Sequence, residues 1–447
     1  MQRVISLRRH WPLAAICASY LALAITYSLS IPAWEANDEM DHVANIEFIV
    51  RHKTVYPLRY GTWHETHQPP LYYWLVARWQ RALRIAPFTV AAPETKTGTP
   101  HGPPPQLIYT HNYTARQRAA AVAVHKLRAV SVLLGLATVI LTYAIGILST
   151  GRREIALGAA AFVAFLPKFD VVTAAVTNDA LVIALCSLAV VLALALRKIA
   201  PEQWRRQIAV AALLGGSSGA AIATKLNSIP VVASCIVFAG FARSTSTLGR
   251  LRTLVAALFG LGLTTGWWVW MNLHRGTGYL GQEGAREWLA AHVPGLISVV
   301  PWTDAERFLK YVPTELMNSL WYRGGWNQFQ APVAINLLLS LFALASWFVA
   351  AKAFYQRRFD PALGLLHACS VMGLAAVFII AKSTTQAEGR IAYVALSSFA
   401  VLAVTGTAEA FGHSPKRRKV AAMIWPAVLL LLNLFVLLRF VLPLRAL

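Results

Sequence analysis

Acidic residues are scarce in this sequence. Asp and Glu number only 19 among 447 residues, and charged residues of all kinds amount to 13%. A soluble globular domain carries about 25% charged residues, so the composition excludes that class. Hydrophobic residues, at 57%, dominate instead.

Cysteine is scarce as well. The chain has four cysteines, and each lies singly in an apolar segment: Cys17, Cys186, Cys235 and Cys369. Their spacing matches neither a disulfide framework nor a metal site. We therefore expect them to be small, buried apolar side chains.

Apolar runs recur along the whole chain. Their length, about 20 residues, is what an α-helix needs to cross a bilayer. We place eleven runs at 11–31, 127–149, 155–174, 179–196, 207–224, 229–242, 253–273, 332–354, 361–381, 391–411 and 420–442. The first run follows arginines, as in a signal peptide, but it is too long for a typical signal core and is expected to be an uncleaved helix. The predicted fold class is all-α, a polytopic integral membrane protein with a single transmembrane domain over 1–447.

Basic residues determine the expected orientation. The net charge is +22, and the basic residues fall in short clusters between the apolar runs, which argues against a nucleic-acid partner. One set of alternating ends carries nineteen Lys and Arg, whereas the short loops on the other side carry four. The positive-inside rule then places the N-terminus in the cytoplasm and the C-terminus in the periplasm, across a bacterial inner (plasma) membrane.

Two long loops, 32–126 and 274–331, fall on the outer side. Loops of this length in a compact protein are usually functional. Within the first, aromatic and apolar residues at helical spacing predict a helix lying in the membrane interface from Leu71 to Leu83. Pro69 and Pro70 favour a helix start at this point.

The stretch 35–45, Glu-Ala-Asn-Asp-Glu-Met-Asp-His-Val-Ala-Asn, concentrates four carboxylates and a histidine. If Asn37 caps a helix, one face of that helix carries Asp38, Asp41, His42 and Asn45. A carboxylate there could accept a proton from an acceptor hydroxyl or help to bind a divalent cation. An ordinary helix start, with acids in the first turn, explains the pattern equally well. The candidate catalytic residues are Asp38, Glu39, Asp41 and His42.

Further outer segments supply candidate binding residues. Lys225 and Arg390 lie at helix ends and could bind a lipid phosphate, although each could also snorkel to the interface or form a salt bridge. Asn178 and Asp179 are also typical of a helix cap and its first turn. The candidate donor-phosphate or lipid ligands are Lys225, Arg390, Lys382, His67, Gln68 and Arg323. The candidate substrate ligands are Asn178, Asp179, Glu388 and Trp326.

Taken in order, these stretches resemble the GT-C superfamily of membrane glycosyltransferases, in particular the bacterial relatives of protein O-mannosyltransferases and the aminoarabinose lipid A transferase. Each shared motif alone is weak, but together they span most of the chain: Asp38-Glu39, Gln-Pro-Pro-Leu-Tyr-Tyr at 68–73, Asn-Asp-Ala at 178–180, Thr224-Lys225 and Glu-Gly-Arg at 388–390. The resemblance implies a polyprenyl-phosphate sugar donor and transfer on the outer face. It also implies a catalytic acid in the first outer loop, which matches Asp38.

The sequence departs from this family in three places. Gln68 stands where the aminoarabinose transferase type has lysine, which puts a donor-phosphate contact there in doubt. Glu388 replaces the glutamine of a related family. We expect no large C-terminal soluble domain, and we therefore expect the outer loops to recognise the acceptor.

The predicted function is that of an inverting glycosyltransferase. Asp38 is the expected general base, and Lys225 and Arg390 are expected to stabilise the leaving lipid phosphate. The acceptor, whether lipid, glycan or protein, is left open, as is a divalent cation. A lipid or glycan transporter or flippase is the alternative, and a proton-coupled one needs ionisable residues within its spans, whereas all acids here are expected in loops or at span ends. A non-catalytic envelope-assembly protein is the third interpretation.

Overall fold

The computed structural model describes residues 2–55, 66–90, 114–241, 246–281, 283, 305–324, 329–356, 360–382, 386–412 and 414–445. Helices make up almost all of this part of the chain. They are α1 (Gln2–Ser30), α2 (Glu39–His52), α3 (Leu71–Ala82), α4 (Ala115–Thr150), α5 (Arg153–Ala164), α6 (Pro167–Thr173), α7 (Asp179–Leu196), α8 (Trp204–Ile222), α9 (Ile229–Gly240), α10 (Thr247–His274), α11 (Ala305–Leu320), α12 (Val333–Gln356), α13 (Pro361–Ala381), α14 (Leu396–Phe411), α15 (Pro415–Ala421) and α16 (Ile424–Val436). Short 3₁₀ or π turns lie at Pro201–Gln203, Leu226–Ser228, Gly389–Ala395, Leu437–Val441 and Leu442–Arg445. The strands β1 (Arg323–Gly324) and β2 (Phe329–Gln330) pair antiparallel, with Arg323 opposite Gln330.

Many of these helices are long and apolar enough to cross a membrane. Among the described residues, eight helices meet that description, or nine when a bent pair is counted as one span. The predicted class, a polytopic helical membrane protein, is confirmed. The predicted count of eleven is not, because α8 and the shorter apolar segment Leu226–Gly240 coincide with predicted runs but fall outside the eight.

The run predicted as one helix at 155–174 is broken in the structure. It forms α5 and α6, whose axes differ by 61°. Pro167 opens α6 at its first position and has no N–H to donate back to α5, while the residue before a proline is disfavoured in helical geometry. The prediction of a single continuous span was therefore wrong here. Because of the break, the side chains of α6 point in other directions than they would on a continuation of α5.

Small and hydroxyl-bearing residues bring the spans together. An atom added at the Cβ position of Gly215 on α8 would meet the backbone of Ala257 on α10 at 1.7 Å, so only glycine fits this crossing. Ser397 on α14 exchanges hydrogen bonds of 2.7 Å with both Thr142 on α4 and Ser187 on α7. Interhelical contacts of this kind stabilise helix association in a bilayer, where apolar burial contributes little.

Helices α2 and α3 cover the beginning of α4 with a core of their own. Its buried residues include Trp34, Ile46, Tyr72, Val124 and Val176. The helix predicted from Leu71 to Leu83 is present as α3, with Tyr72, Tyr73 and Val76 facing inward. Leu75 and Arg78 face outward. The first outer segment thus folds back onto the spans and brings its acids to the start of α7.

Candidate active site

Asp38 is the residue before α2, and its backbone is left-handed, with φ of 62°. The predicted cap, Asn37, is therefore off by one residue, and the Asp38 side chain makes no capping hydrogen bond. A left-handed backbone is uncommon outside glycine, and Asp and Asn are among the residues that tolerate it best. Its carboxylate, which is partly exposed, instead accepts a hydrogen bond from Arg390 at 2.7 Å.

Arg390 joins three acids that are distant in the sequence. Its guanidinium lies 2.7 Å from Asp38, 2.8 Å from Glu388 and 3.6 Å from Asp179. The turn that carries it depends on Gly389, whose N–H donates to the Ser319 hydroxyl at 2.8 Å. A Cβ atom at position 389 would meet the backbone of α11 at 2.5 Å, so glycine is required for this close approach.

Asp179 and Lys225 form the second half of the site. The Lys225 ammonium lies 2.6 Å from the Asp179 carboxylate, which is almost completely buried. Asn178, the cap position of α7, does not cap the helix with its side chain. Its amide donates to Thr224 and to Gln68, at 3.4 Å and 3.5 Å, and so ties the start of α7 to the end of α8 and to the segment before α3.

Two histidines border this group. His42 on α2 shares a 2.9 Å hydrogen bond with the Tyr73 hydroxyl on α3. His67 keeps some exposed surface, but the protein atoms around it, together with the positive charge of Lys225, lower its pKa to about 4. His67 is therefore neutral at physiological pH and can donate or accept a hydrogen bond there.

Lys168 completes the site, although it was not among the site residues predicted from the sequence. It is the second residue of α6, is 3% exposed, and donates from Nζ to the Arg323 carbonyl at 2.6 Å. Its charge interacts with those of Glu388, Arg390 and Asp179. A lone lysine directly after a proline inside an apolar run was the signal that could have identified it, because ionisable residues in membrane spans are usually functional.

We call these six residues the charged cluster: Asp38, Lys168, Asp179, Lys225, Glu388 and Arg390. It holds three cations and three carboxylates. They lie at the starts of α2, α6 and α7, just after α8, and at the turn Gly389–Ala395, which supplies both Glu388 and Arg390. A partly exposed carboxylate beside several fixed cations can accept a proton while a phosphate group binds next to it.

Glu39 lies outside the cluster, contrary to its selection as a catalytic candidate. It is fully buried against Arg128, with a shortest contact of 2.6 Å. Burial disfavours its charged form, but Arg128 and the backbone N–H groups of Val176 and Trp34 outweigh that effect and hold the pKa of Glu39 below its usual value. With both oxygens occupied by these donors, the carboxylate has a structural role.

The other candidates have different surroundings. Arg323 directs its side chain to Glu315 at 2.5 Å and reaches the cluster through its carbonyl. Asp41 is half-buried on α2, and Lys382 is the exposed residue that ends α13. Trp326 lies outside the described residues. Within the part of the chain that the structure describes, no group of three or more His, Cys, Asp or Glu could hold a metal ion, and the divalent cation stays a prediction.

Comparison with known proteins identifies a family and solved structures to which the chain is similar. Residues 101–273 match the family model of dolichyl-phosphate-mannose-protein mannosyltransferases, which is less than half of the chain. ArnT from Cupriavidus metallidurans matches in the apo state with a TM-score of 0.53 and 13% identity, over 98% of this chain and 74% of ArnT. The same protein bound to undecaprenyl phosphate matches with a TM-score of 0.52 and 14% identity, over 97% and 74%.

A more distant match is the Archaeoglobus fulgidus oligosaccharyltransferase in its apo form, with a TM-score of 0.48 and 14% identity. That match covers 98% of this chain but only 56% of the oligosaccharyltransferase, so the chain spans about half of its length. A search of curated proteins finds no match. The ArnT likeness is one of fold, and it agrees with the family match within 101–273. The chain thus has the fold of the GT-C membrane glycosyltransferases, the superfamily that its sequence resembles.

Proposed function

We propose that the chain is an inverting glycosyltransferase. It transfers a sugar from a polyprenyl-phosphate donor to a lipid, glycan or protein acceptor at the outer face of the membrane. The observation that carries this proposal is the position of Asp38, whose partly exposed carboxylate contacts Arg390 at 2.7 Å within a GT-C fold. In this proposal the general base, Asp38, lies next to the cation that binds the phosphate, Arg390.

Asp38 acts as the general base in this proposal. It takes the proton of the acceptor hydroxyl while the hydroxyl oxygen attacks the anomeric carbon of the sugar. The bond between that carbon and the phosphate oxygen breaks, and its electron pair leaves with the polyprenyl phosphate. Attack opposite to the leaving group inverts the anomeric configuration.

The cations of the charged cluster stabilise the leaving phosphate. Negative charge develops on the phosphate as the bond breaks, and fixed cations are the strongest stabilisation for it. Arg390 offers a planar fork, and Lys225 and Lys168 offer point charges. Two comparisons support this role: residues 101–273, which contain both lysines, match a family described as using dolichyl-phosphate-mannose, and the similarly folded ArnT was solved with undecaprenyl phosphate bound.

One observation favours the transporter alternative. Asp170 is fully buried on α6, the second helix of the bent pair, four residues before the end of the predicted run. Acids within membrane spans are typical of proton relays. However, Asp170 accepts a 2.5 Å hydrogen bond from Asn433, whose amide also donates to the Phe165 carbonyl at the helix break. This arrangement fits a structural role, in which Asn433 stabilises the helix break, better than a role in proton transfer. We call this set of contacts the Asn433 lock.

The donor contact can be tested with purified protein. Lys225→Ala and Arg390→Ala are expected to slow release of polyprenyl phosphate from a lipid-linked sugar by about 10²-fold, the usual effect of losing one stabilising group. Mass spectrometry of the lipid products measures the rate. Lys198→Ala, a lysine at the opposite end of α7, is the control.

The structure adds a requirement to this experiment. Because Asp179 is buried beside Lys225, removal of the lysine leaves a poorly compensated carboxylate, and thermal unfolding must be measured for each variant. Wild-type release rates in both Lys225→Ala and Arg390→Ala would show that the donor phosphate binds elsewhere.

A further inference from the structure

A groove runs between α3 and α4 on the outer surface of the protein, away from the charged cluster. It is an open groove with a volume of about 400 Å³, and small-ligand sites usually have about 300–1,000 Å³. Helix α3 lines it with Leu75, Arg78 and Trp79, and α4 lines it with Val130, Leu133 and Leu134. The walls are thus aliphatic and aromatic, with one cation.

The length of α4 indicates how deep this groove lies in the membrane. Twenty residues separate Val130 from Thr150, the last residue of α4. At 1.5 Å per residue they span about 30 Å, which equals the thickness of the hydrocarbon core. If the turn after Thr150 marks one boundary of the core, Val130 marks the other. The groove therefore lies where acyl chains meet headgroups.

Trp79 holds the two walls together at this level. Its indole N–H donates to the Lys126 carbonyl at 3.4 Å, which fastens α3 to α4. Tryptophan is enriched at the headgroup level of bilayers, so its position agrees with the depth inferred from α4. Leu133, with 52% of its surface exposed, is open to lipid at the same height.

Arg78 supplies the positive charge that determines which kind of molecule the groove can bind. It is exposed, and within the described residues it has no hydrogen bond or ion pair. The neighbouring Arg81, by contrast, is held by the Ile49 and Val50 carbonyls on α2. A guanidinium without an ion pair at the edge of an apolar groove is complementary to a molecule that has a phosphate at one end and a hydrocarbon chain at the other.

We propose that the α3–α4 groove binds one acidic phospholipid. Its phosphate lies against Arg78, and a hydrocarbon chain lies along Leu75, Leu133 and Leu134. This site is separate from the charged cluster, and it does not depend on the chemistry proposed there.

The groove is connected to the charged cluster through the other face of α3. Tyr72 accepts a hydrogen bond from the backbone N–H of Thr177, just before α7, at 3.0 Å, and Tyr73 contacts His42 at 2.9 Å. The backbone N–H of Leu71 donates to the Ala223 carbonyl at the end of α8 at 3.0 Å. A lipid that fixes the outer face of α3 therefore also holds the elements that carry Asp179 and Lys225.

Native mass spectrometry of the detergent-purified full chain tests the proposal, with added dioleoyl phosphatidylglycerol and, separately, dioleoyl phosphatidylcholine. We expect one phosphatidylglycerol to stay bound, with a preference over phosphatidylcholine of about fivefold, the factor that one surface cation supplies. Arg78→Gln should abolish the preference. Leu133→Trp should fill the groove and lower the occupancy of both lipids, and its side chain faces outward, so the fold should tolerate it.

Arg116→Gln is the control, since Arg116 is an exposed arginine in the first turn of α4. It should leave lipid binding unchanged. Equal loss of preference in Arg78→Gln and Arg116→Gln would overturn the proposal in favour of diffuse charge attraction. Full lipid occupancy in Leu133→Trp, or displacement of the lipid by equimolar glycerol 1-phosphate, would also overturn it, because neither fits a chain held in the groove.

Discussion

Two adjacent carboxylates, Asp38 and Glu39, have opposite environments. Asp38 faces outward to Arg390 with a quarter of its side chain exposed, whereas Glu39 and Arg128 are both fully buried. The difference arises from the backbone, since the left-handed Asp38 precedes the helix and Glu39 begins it. Although the two residues are adjacent in the sequence, Asp38 is a candidate for catalysis and Glu39 is a candidate for a role in folding.

Glu39→Gln is expected to destabilise the protein. It leaves the Arg128 guanidinium buried without a counter-charge, and loss of one partner of a buried ion pair costs about 3–5 kcal/mol. The measurement is thermal unfolding in detergent. Asp41→Asn, at a half-buried position on the same helix, should unfold near the wild-type temperature. If Glu39→Gln unfolded there too, the structural role assigned to Glu39 would be wrong.

Several site residues could be found from the sequence because they lie in short motifs at predicted helix ends. Asp38, Asp179, Lys225 and Arg390 belong to this group, and the structure brings them together. Lys168 could not be found in the same way. Its neighbours in space come from β1, α7 and the segment after α13. These segments lie far apart in the chain, so no local sequence pattern shows that they come together.

At the scale of elements, the break between α5 and α6 is the feature that shapes the site most. Asn433 on α16 fills the gap: its amide donates to the Phe165 carbonyl at 3.1 Å and to Asp170 at 2.5 Å, and its oxygen accepts from Tyr27 at 3.1 Å. The Phe165 carbonyl at the break, one oxygen of the Asp170 carboxylate and the Tyr27 hydroxyl of α1 thereby have a hydrogen-bond partner. Lys168, two residues before Asp170 on the same short helix, donates to the Arg323 carbonyl at 2.6 Å.

Asn433→Leu should therefore affect both folding and function. Each buried polar group left without a partner costs about 1–3 kcal/mol, so a clear drop in the unfolding temperature is expected, along with slower sugar transfer as α6 loosens. Thermal unfolding and a transfer assay measure the two effects. Leu431→Ala, an outward-facing position on the same helix, is the comparison. Wild-type behaviour of Asn433→Leu in both assays would refute the lock.

The sequence could predict that this segment is apolar but not that it bends. Apolar periodicity is the same for a straight span and a bent one, and the partner that makes the break tolerable, Asn433, lies more than 250 residues away in the chain. Pro167, Lys168 and Asp170 together inside one apolar run were the available signal. Polar residues after a proline are typical of a broken span that lines a cavity.

At the scale of the whole molecule, the class and the order of the helices followed from the apolar runs, since bilayer thickness fixes the length of a span. The orientation rests on the distribution of Lys and Arg and stays a prediction. We expect Asp38 and Arg390 to face the periplasm, and Arg197 and Lys416 the cytoplasm.

Single-cysteine labelling tests this orientation. A cysteine at position 41, in a variant without the four native cysteines, should react with an impermeant maleimide in intact cells, whereas a cysteine at position 416 should react only after lysis. Reaction at position 41 only after lysis would place the charged cluster in the cytoplasm, where the proposed outer-face transfer does not occur.

Asp38 is proposed to be the general base, and the rate of sugar transfer by the Asp38→Asn variant shows whether it has this role. Asparagine tolerates the same left-handed backbone as aspartate, so the fold should be kept, as thermal unfolding can verify. The variant lacks the basic carboxylate, and sugar transfer from a polyprenyl-phosphate donor should fall by about 10²–10⁴-fold, while Asp41→Asn should retain most activity. Transfer by Asp38→Asn at close to the wild-type rate, or an equal loss in Asp41→Asn, would contradict the account.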